Sequence, residues 1–145
     1  MSVKISPELK WVIPYLKRAS KIVPVEQLEK IIAVKPRLEQ IQHCHAQLVT
    51  ETNTHTNQVK RRYISLNLYY VKSHQLKPLK RKKVPFSKID LLETLAHELA
   101  HLIDVKHTPK HKKLENRLCS IFMTMLEQTG YVSEEYEMKH SRPRF

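Results

Sequence analysis

The chain has 145 residues, 41% of them apolar, enough for one modest core and not for two. Its net charge of +12 is large for this length and makes a polyanion the natural class of partner. No run of about 18 apolar residues occurs, which excludes a membrane-spanning helix, and Met1 to Pro7 lack the features of a signal peptide, so a cytoplasmic location is expected. Cys44 and Cys119 lie far apart without metal-knuckle spacing, which argues against a disulfide framework.

Gly130 is the only glycine, so phosphate-cradling glycine loops are ruled out and a helix-rich chain with few tight turns is expected. The first helix is predicted over about 7–20, kinked or split by Pro14. Pro24 opens a second helical stretch with Val25, Leu28, Ile31 and Ile32 on one face, interrupted by Pro36. Residues 38–45 suit helix or strand equally. Segments 47–51 and 61–71, rich in Val, Thr, Ile and Tyr, read as strands of an antiparallel hairpin around the polar cluster 52–57. Residues 73–85 read as a basic, proline-bounded loop.

The clearest element comes next. Ser87 to Asp90 has the form of a capping box. Ile89, Leu92, Ala96, Leu99 and Ile103 follow at spacings of three and four, with Leu91, Leu95 and Leu102 widening the apolar face, so this helix is largely buried. Asp90, Thr94, His97, Glu98, His101 and Asp104 form a narrow polar stripe along it. Thr108-Pro109 starts a last helix with Leu114, Leu118, Ile121, Phe122, Met125 and Leu126 inward, ending at Gly130. One domain over 1–130 and a polar, basic tail over 131–145 result.

His97-Glu98-Leu99-Ala100-His101 is a His-Glu-x-x-His motif on a helix. Residues four apart share a face, so both imidazoles reach one ion, while Glu98 projects beside the open coordination position as a general base. As mere decoration these groups would sit unpartnered in an apolar helix, at a cost of a few kcal/mol. A Zn2+ ion resolves the conflict. His107, where the chain leaves the helix, is the foremost candidate for third ligand, with His111 and Glu115 as rivals. Asp104 suits either an acceptor for a histidine N–H or a plain helix-end charge. No Met-turn pattern follows, against a metzincin.

Segments 62–67, 91–103 and 106–111 together resemble the SprT-like (Spartan-type) zinc metallopeptidase domain, over roughly residues 60 to 120. The resemblance implies zinc held by His97, His101 and His107, with Glu98 as base. Thr108 stands where that family often has glycine, and His111 takes the place of an aromatic residue. The expected fold is an α+β, zincin-like single domain, with helices packed on a small, mainly antiparallel sheet. The expected function is zinc-dependent hydrolysis of a protein or peptide substrate. Two alternatives stand beside it. One is a metal-dependent endoribonuclease, since the bacterial rRNA-maturation enzyme spaces three histidines alike but has glycine in place of Glu98. The other is a nucleic-acid-binding module with a structural metal.

Three basic groups precede or follow the motif: Lys60, Arg61 and Arg62; Lys80, Arg81, Lys82 and Lys83; Lys110, Lys112 and Lys113. If they converge on one cleft, DNA or RNA binds there through its phosphates. Trp11, Tyr63, Tyr69 and Tyr70 suit the core better than base stacking. His43 and His45, flanking Cys44, offer too few ligands for a second metal site.

Overall fold

A computed structural model describes residues 3–35, 46–56, 58–74 and 77–130. The ambiguous segment 38–45, with His43, Cys44 and His45, and the tail 131–145 lie outside the described residues. After a short strand β1 (Lys4–Ile5), residues 7–20 are helical in two pieces, a 3-10 turn Pro7–Val12 and helix α1 (Ile13–Ala19). Pro14 does split the segment, because it sits in the first turn of α1 where its missing N–H costs nothing.

The second helical stretch is not formed. Only Val25–Gln27 makes a 3-10 turn, Leu28 is extended, and Lys30–Val34 is a strand, β2. The threefold spacing of Val25, Leu28 and Ile31 imitates a helix, but Ile31, Ile32 and Val34 are β-branched and stiff at χ1, and they favour the pleated surface. The hairpin is formed as expected: β3 (Ala46–Thr52) pairs antiparallel with β4 (Val59–Asn67) around a turn closed by Asn53 N–H to the Gln58 carbonyl at 2.8 Å. Strand order is β1-β2-β4-β3. Because β2 pairs parallel with both β1 and β4, the sheet is mixed and not mainly antiparallel. Its register aligns Ile5, Ile31, Ile64 and Leu48 in one row across all four strands.

At Leu68 the chain leaves this sheet, so segment 61–71 is not one strand. It continues as β5 (Tyr69–His74), which pairs antiparallel with β6 (Lys77–Pro85) in a separate two-stranded ribbon. The predicted basic loop is therefore mostly strand. Helices α2 (Lys88–Ala100) and α3 (Pro109–Gln128) follow. Ser87 caps α2 by accepting from the Asp90 N–H and donating its hydroxyl to the Asp90 carboxylate. Thr108 caps α3, with Pro109 in its first turn, and Gly130 takes φ +79° just beyond its end.

Helix α2 packs on β3 and β4 and on α3, and α3 also meets α1. Leu9, Leu16, Ile31, Ile64, Leu66, Leu92, Leu95, Leu99, Leu118 and Phe122 are wholly buried in one core. Ile103 is the exception to the inward face predicted for α2: it lies past the helix end and is 44% exposed. Trp11 packs edge-on against Tyr15, and Tyr15 against Phe122, which is packing and not a stacking platform. The molecule is thus mixed helix and sheet, α+β in class. Among the described residues no helix is long and apolar enough to cross a membrane.

Candidate metal centre

Because α2 buries its apolar face so completely, its polar stripe is held against neighbouring elements. His97 and His101, one turn apart, bring their Nε2 atoms to 3.2 Å. The partners of the opposite ring nitrogens fix the tautomers. His97 Nδ1 lies 2.8 Å from a Glu115 carboxylate oxygen, and His101 Nδ1 lies 3.0 Å from the Asp104 carbonyl. Both partners only accept, so both Nδ1 atoms carry hydrogen. Two Nε2 lone pairs then face each other, and only a cation between them resolves this: a second proton on one ring or a metal ion.

The turn after α2 supplies further imidazoles. Asp104 accepts Lys106 N–H at 3.1 Å and the Thr108 hydroxyl on its carboxylate, and these two bonds, the hydroxyl first, hold its carboxyl below the usual range. Thr108 Oγ1 in turn accepts His111 N–H at 3.2 Å, so one hydroxyl ties the turn to the start of α3. Asp104 is thus the acceptor for a histidine N–H, but through its backbone carbonyl; its carboxylate braces the turn. His107, carried on that turn, places Nε2 3.1 Å from His97 Nε2.

His111 is 2% exposed and lies against the His101 ring, with centroids 4.1 Å apart. Its Nε2 donates to the His97 carbonyl at 3.1 Å. That carbonyl is one of the last four of α2, which a helix leaves without an i+4 partner; those of Glu98, Leu99 and Ala100 are filled by the turn that follows. The donation leaves His111 Nδ1 as its free lone pair. His97, His101 and His111 each offer a ligand atom within 4.8 Å of the others, close enough to hold a metal ion. With His107, four imidazoles meet here.

Tetrahedral zinc with Zn–N bonds of about 2.0–2.1 Å sets its nitrogens about 3.3 Å apart. The separations from His97 Nε2 to His101 and to His107, 3.2 and 3.1 Å, match that spacing. The donor set therefore fits the ion. Burial lowers the basicity of His101, outweighing the Asp104 carbonyl that acts to raise it, which favours the unprotonated ring that metal ligation needs.

Glu98 is only 8% exposed and points towards β3, where it takes a backbone hydrogen bond from Leu48. Burial raises its carboxyl above the ordinary carboxylate range, although His97 and the Leu48 N–H act to lower it. Glu115, a rival ligand by sequence, instead holds His97 and accepts Lys112 Nζ at 3.3 Å. Burial acts to raise its carboxyl, but the hydrogen bonds from His97 and Lys112 outweigh that and hold it ionised. Replacing Glu115 with alanine is expected to weaken metal affinity about tenfold to a hundredfold, the usual cost of losing such an orienting partner. Chelator competition measures this, and unaltered affinity would show that Glu115 does not set the His97 tautomer.

The inward face of α3 starts at His111, about one turn before the predicted Leu114. The signal for its true start was present: His111, Glu115, Leu118 and Phe122 follow at helical spacing, a polar extension of the apolar stripe. The basic groups are more dispersed. Arg61 Nε is 3.8 Å from Glu29, and Arg62 donates to Gln27 at 2.8 Å, so both are engaged within the fold. Lys110, Lys112 and Lys113 are exposed on the first turns of α3, and Lys60 and Lys80 to Lys83 belong to β4 and β6. No family model, curated protein or solved structure matches the chain.

Proposed function

We propose that the chain is a zinc-dependent endopeptidase of the SprT-like kind, with His97, His101 and His107 holding the ion and Glu98 as general base. One observation carries the reading: a buried carboxyl is fixed between lone-pair-facing histidines and the backbone of an edge strand. Zinc, when bound, supplies Lewis acidity towards a carbonyl oxygen and acidifies water. The rest belongs to the chain. Glu98 takes the proton of the attacking water and returns it to the departing amine nitrogen, a task suited to a carboxyl whose proton affinity burial raises. Among the described residues β3 is paired on one side only, and an extended peptide laid along its other edge passes beside Glu98. His111 fills the α2 carbonyl and walls the site.

The three-histidine endoribonuclease requires no carboxylate at position 98, so burying one there favours peptide chemistry. The test is cleavage of casein and of a structured RNA by metal-free and zinc-reconstituted protein. Casein cleavage that appears only with zinc is expected. RNA cleavage with casein intact would transfer the site to the other reaction, and neither activity in zinc-loaded protein would leave a structural metal.

A further inference from the structure

Residues 69–85 contain six cations, Lys72, Lys77, Lys80, Arg81, Lys82 and Lys83, and no acidic residue, which is half the +12 of the whole chain. The structure arranges them as a ribbon, not a loop. β5 and β6 pair with each other and, among the described residues, with no third strand. The root of the ribbon is pinned to the sheet: Leu68 N–H donates to the Val34 carbonyl at 3.0 Å, and Phe86 N–H closes back on the Leu68 carbonyl at 2.9 Å.

Successive residues of a strand belong to opposite faces. Lys80 and Lys82 therefore fall on one face and Arg81 and Lys83 on the other, so neither face is an apolar one that could cover a core. The register adds a second observation. Lys82 is paired with Lys72, and Lys77 with His74. A like-charged pair directly opposite is destabilising, and a ribbon built with one lacks its counter-charge.

We propose that the β5–β6 ribbon is an arm that enters a groove of duplex DNA. The major groove of B-form DNA admits a two-stranded ribbon and borders it with a phosphate row on either side, so cations on both faces are used at once. A single strand offers one row, and the A-form RNA major groove is too narrow for side chains to read. This surface is separate from the histidine cluster, and its test does not depend on the peptidase reading.

The experiment is fluorescence anisotropy of the full chain, in chelator and in zinc, with a DNA duplex of roughly 20 base pairs, its single strand and the equivalent RNA duplex, titrated between about 50 and 200 mM salt. The DNA duplex is expected to bind tightest, with or without zinc. Replacing Lys80, Arg81, Lys82 and Lys83 together by glutamine should weaken it about a hundredfold or more near 100 mM salt and flatten the log–log slope by up to about 3.6, four phosphates at about 0.9 each. Neutralising the exposed Lys17 and Arg18 on α1 should leave the slope nearly unchanged. Tyr70→Pro retains every charge but removes a ladder donor opposite Val84, in the hydrogen-bonded pair that follows Leu68 and Phe86, and should erase the preference for duplex over single strand. Equal affinity for single strand and duplex, an unaltered slope in the quadruple variant, or displacement by polyglutamate as effective per charge would each overturn the proposal, the last in favour of an acidic polypeptide.

Discussion

Replacing His101 with alanine is expected to take bound metal from one ion per chain to none, as measured by elemental analysis after dialysis. His97→Ala should do the same for two reasons: it removes a ligand, and it strands Glu115 without the N–H it holds at 2.8 Å. In the proposed site each change removes one of three protein ligands, and the free energy of binding such an ion is also free energy of folding, so thermal stability in zinc should fall with it. The third ligand separates by the same measurement. His107 is exposed on its turn and has no apolar packing to lose, so His107→Ala should strip the ion from an intact fold. His111→Ala opens a hole in the buried wall and leaves the His97 carbonyl unpartnered, a loss of stability, with metal retained at saturating zinc. If His111→Ala loses the ion in a folded protein and His107→Ala keeps it, His111 is the third ligand. Metal bound normally after His101→Ala would remove the centre altogether.

How much of this was legible in the sequence depends on the range of the interactions. Helices α2 and α3 were readable because their signals are local: a capping residue, a periodic apolar face and a stop. His97, Glu98 and His101 inherit their placement from that helix, so they were readable too. Strand β2 was not. Its apolar positions satisfy a helical spacing, and what decides against the helix is pairing with β1 and β4, the latter roughly 30 residues further on, which no local pattern reports. The same limit hid the ribbon: Pro78 and Pro85 suggest a loop, and only the opposing β5 makes a strand of the segment between them. In the centre itself the candidate histidines could be nominated from spacing, and Asp104 as an acceptor for a histidine N–H. That Asp104 acts through its backbone carbonyl could not, nor that Glu115, a helix away, holds His97 instead of standing as a rival ligand.

Glu98→Gln separates chemistry from structure more sharply than any ligand change. The amide preserves the shape of the carboxyl, and its oxygen can still accept the Leu48 N–H that holds Glu98 towards β3. A neutral amide is also cheaper to bury than a charge at a position only 8% exposed, so unfolding stability should be unaltered or slightly raised. Metal content should stay at one ion per chain, since Glu98 belongs to neither set of candidate ligands. What the amide cannot do is accept a proton. General-base contributions are typically about a hundredfold to ten-thousandfold, so on the proposed function kcat on casein should fall by at least about a hundredfold while KM moves little, because the edge of β3 proposed for the substrate keeps its backbone. Three measurements on one purified variant decide the matter: elemental analysis, thermal unfolding and steady-state proteolysis. Proteolysis at the parental rate, with metal and stability intact, would mean that the proton goes elsewhere and that the burial of Glu98 serves only to fix β3 against α2.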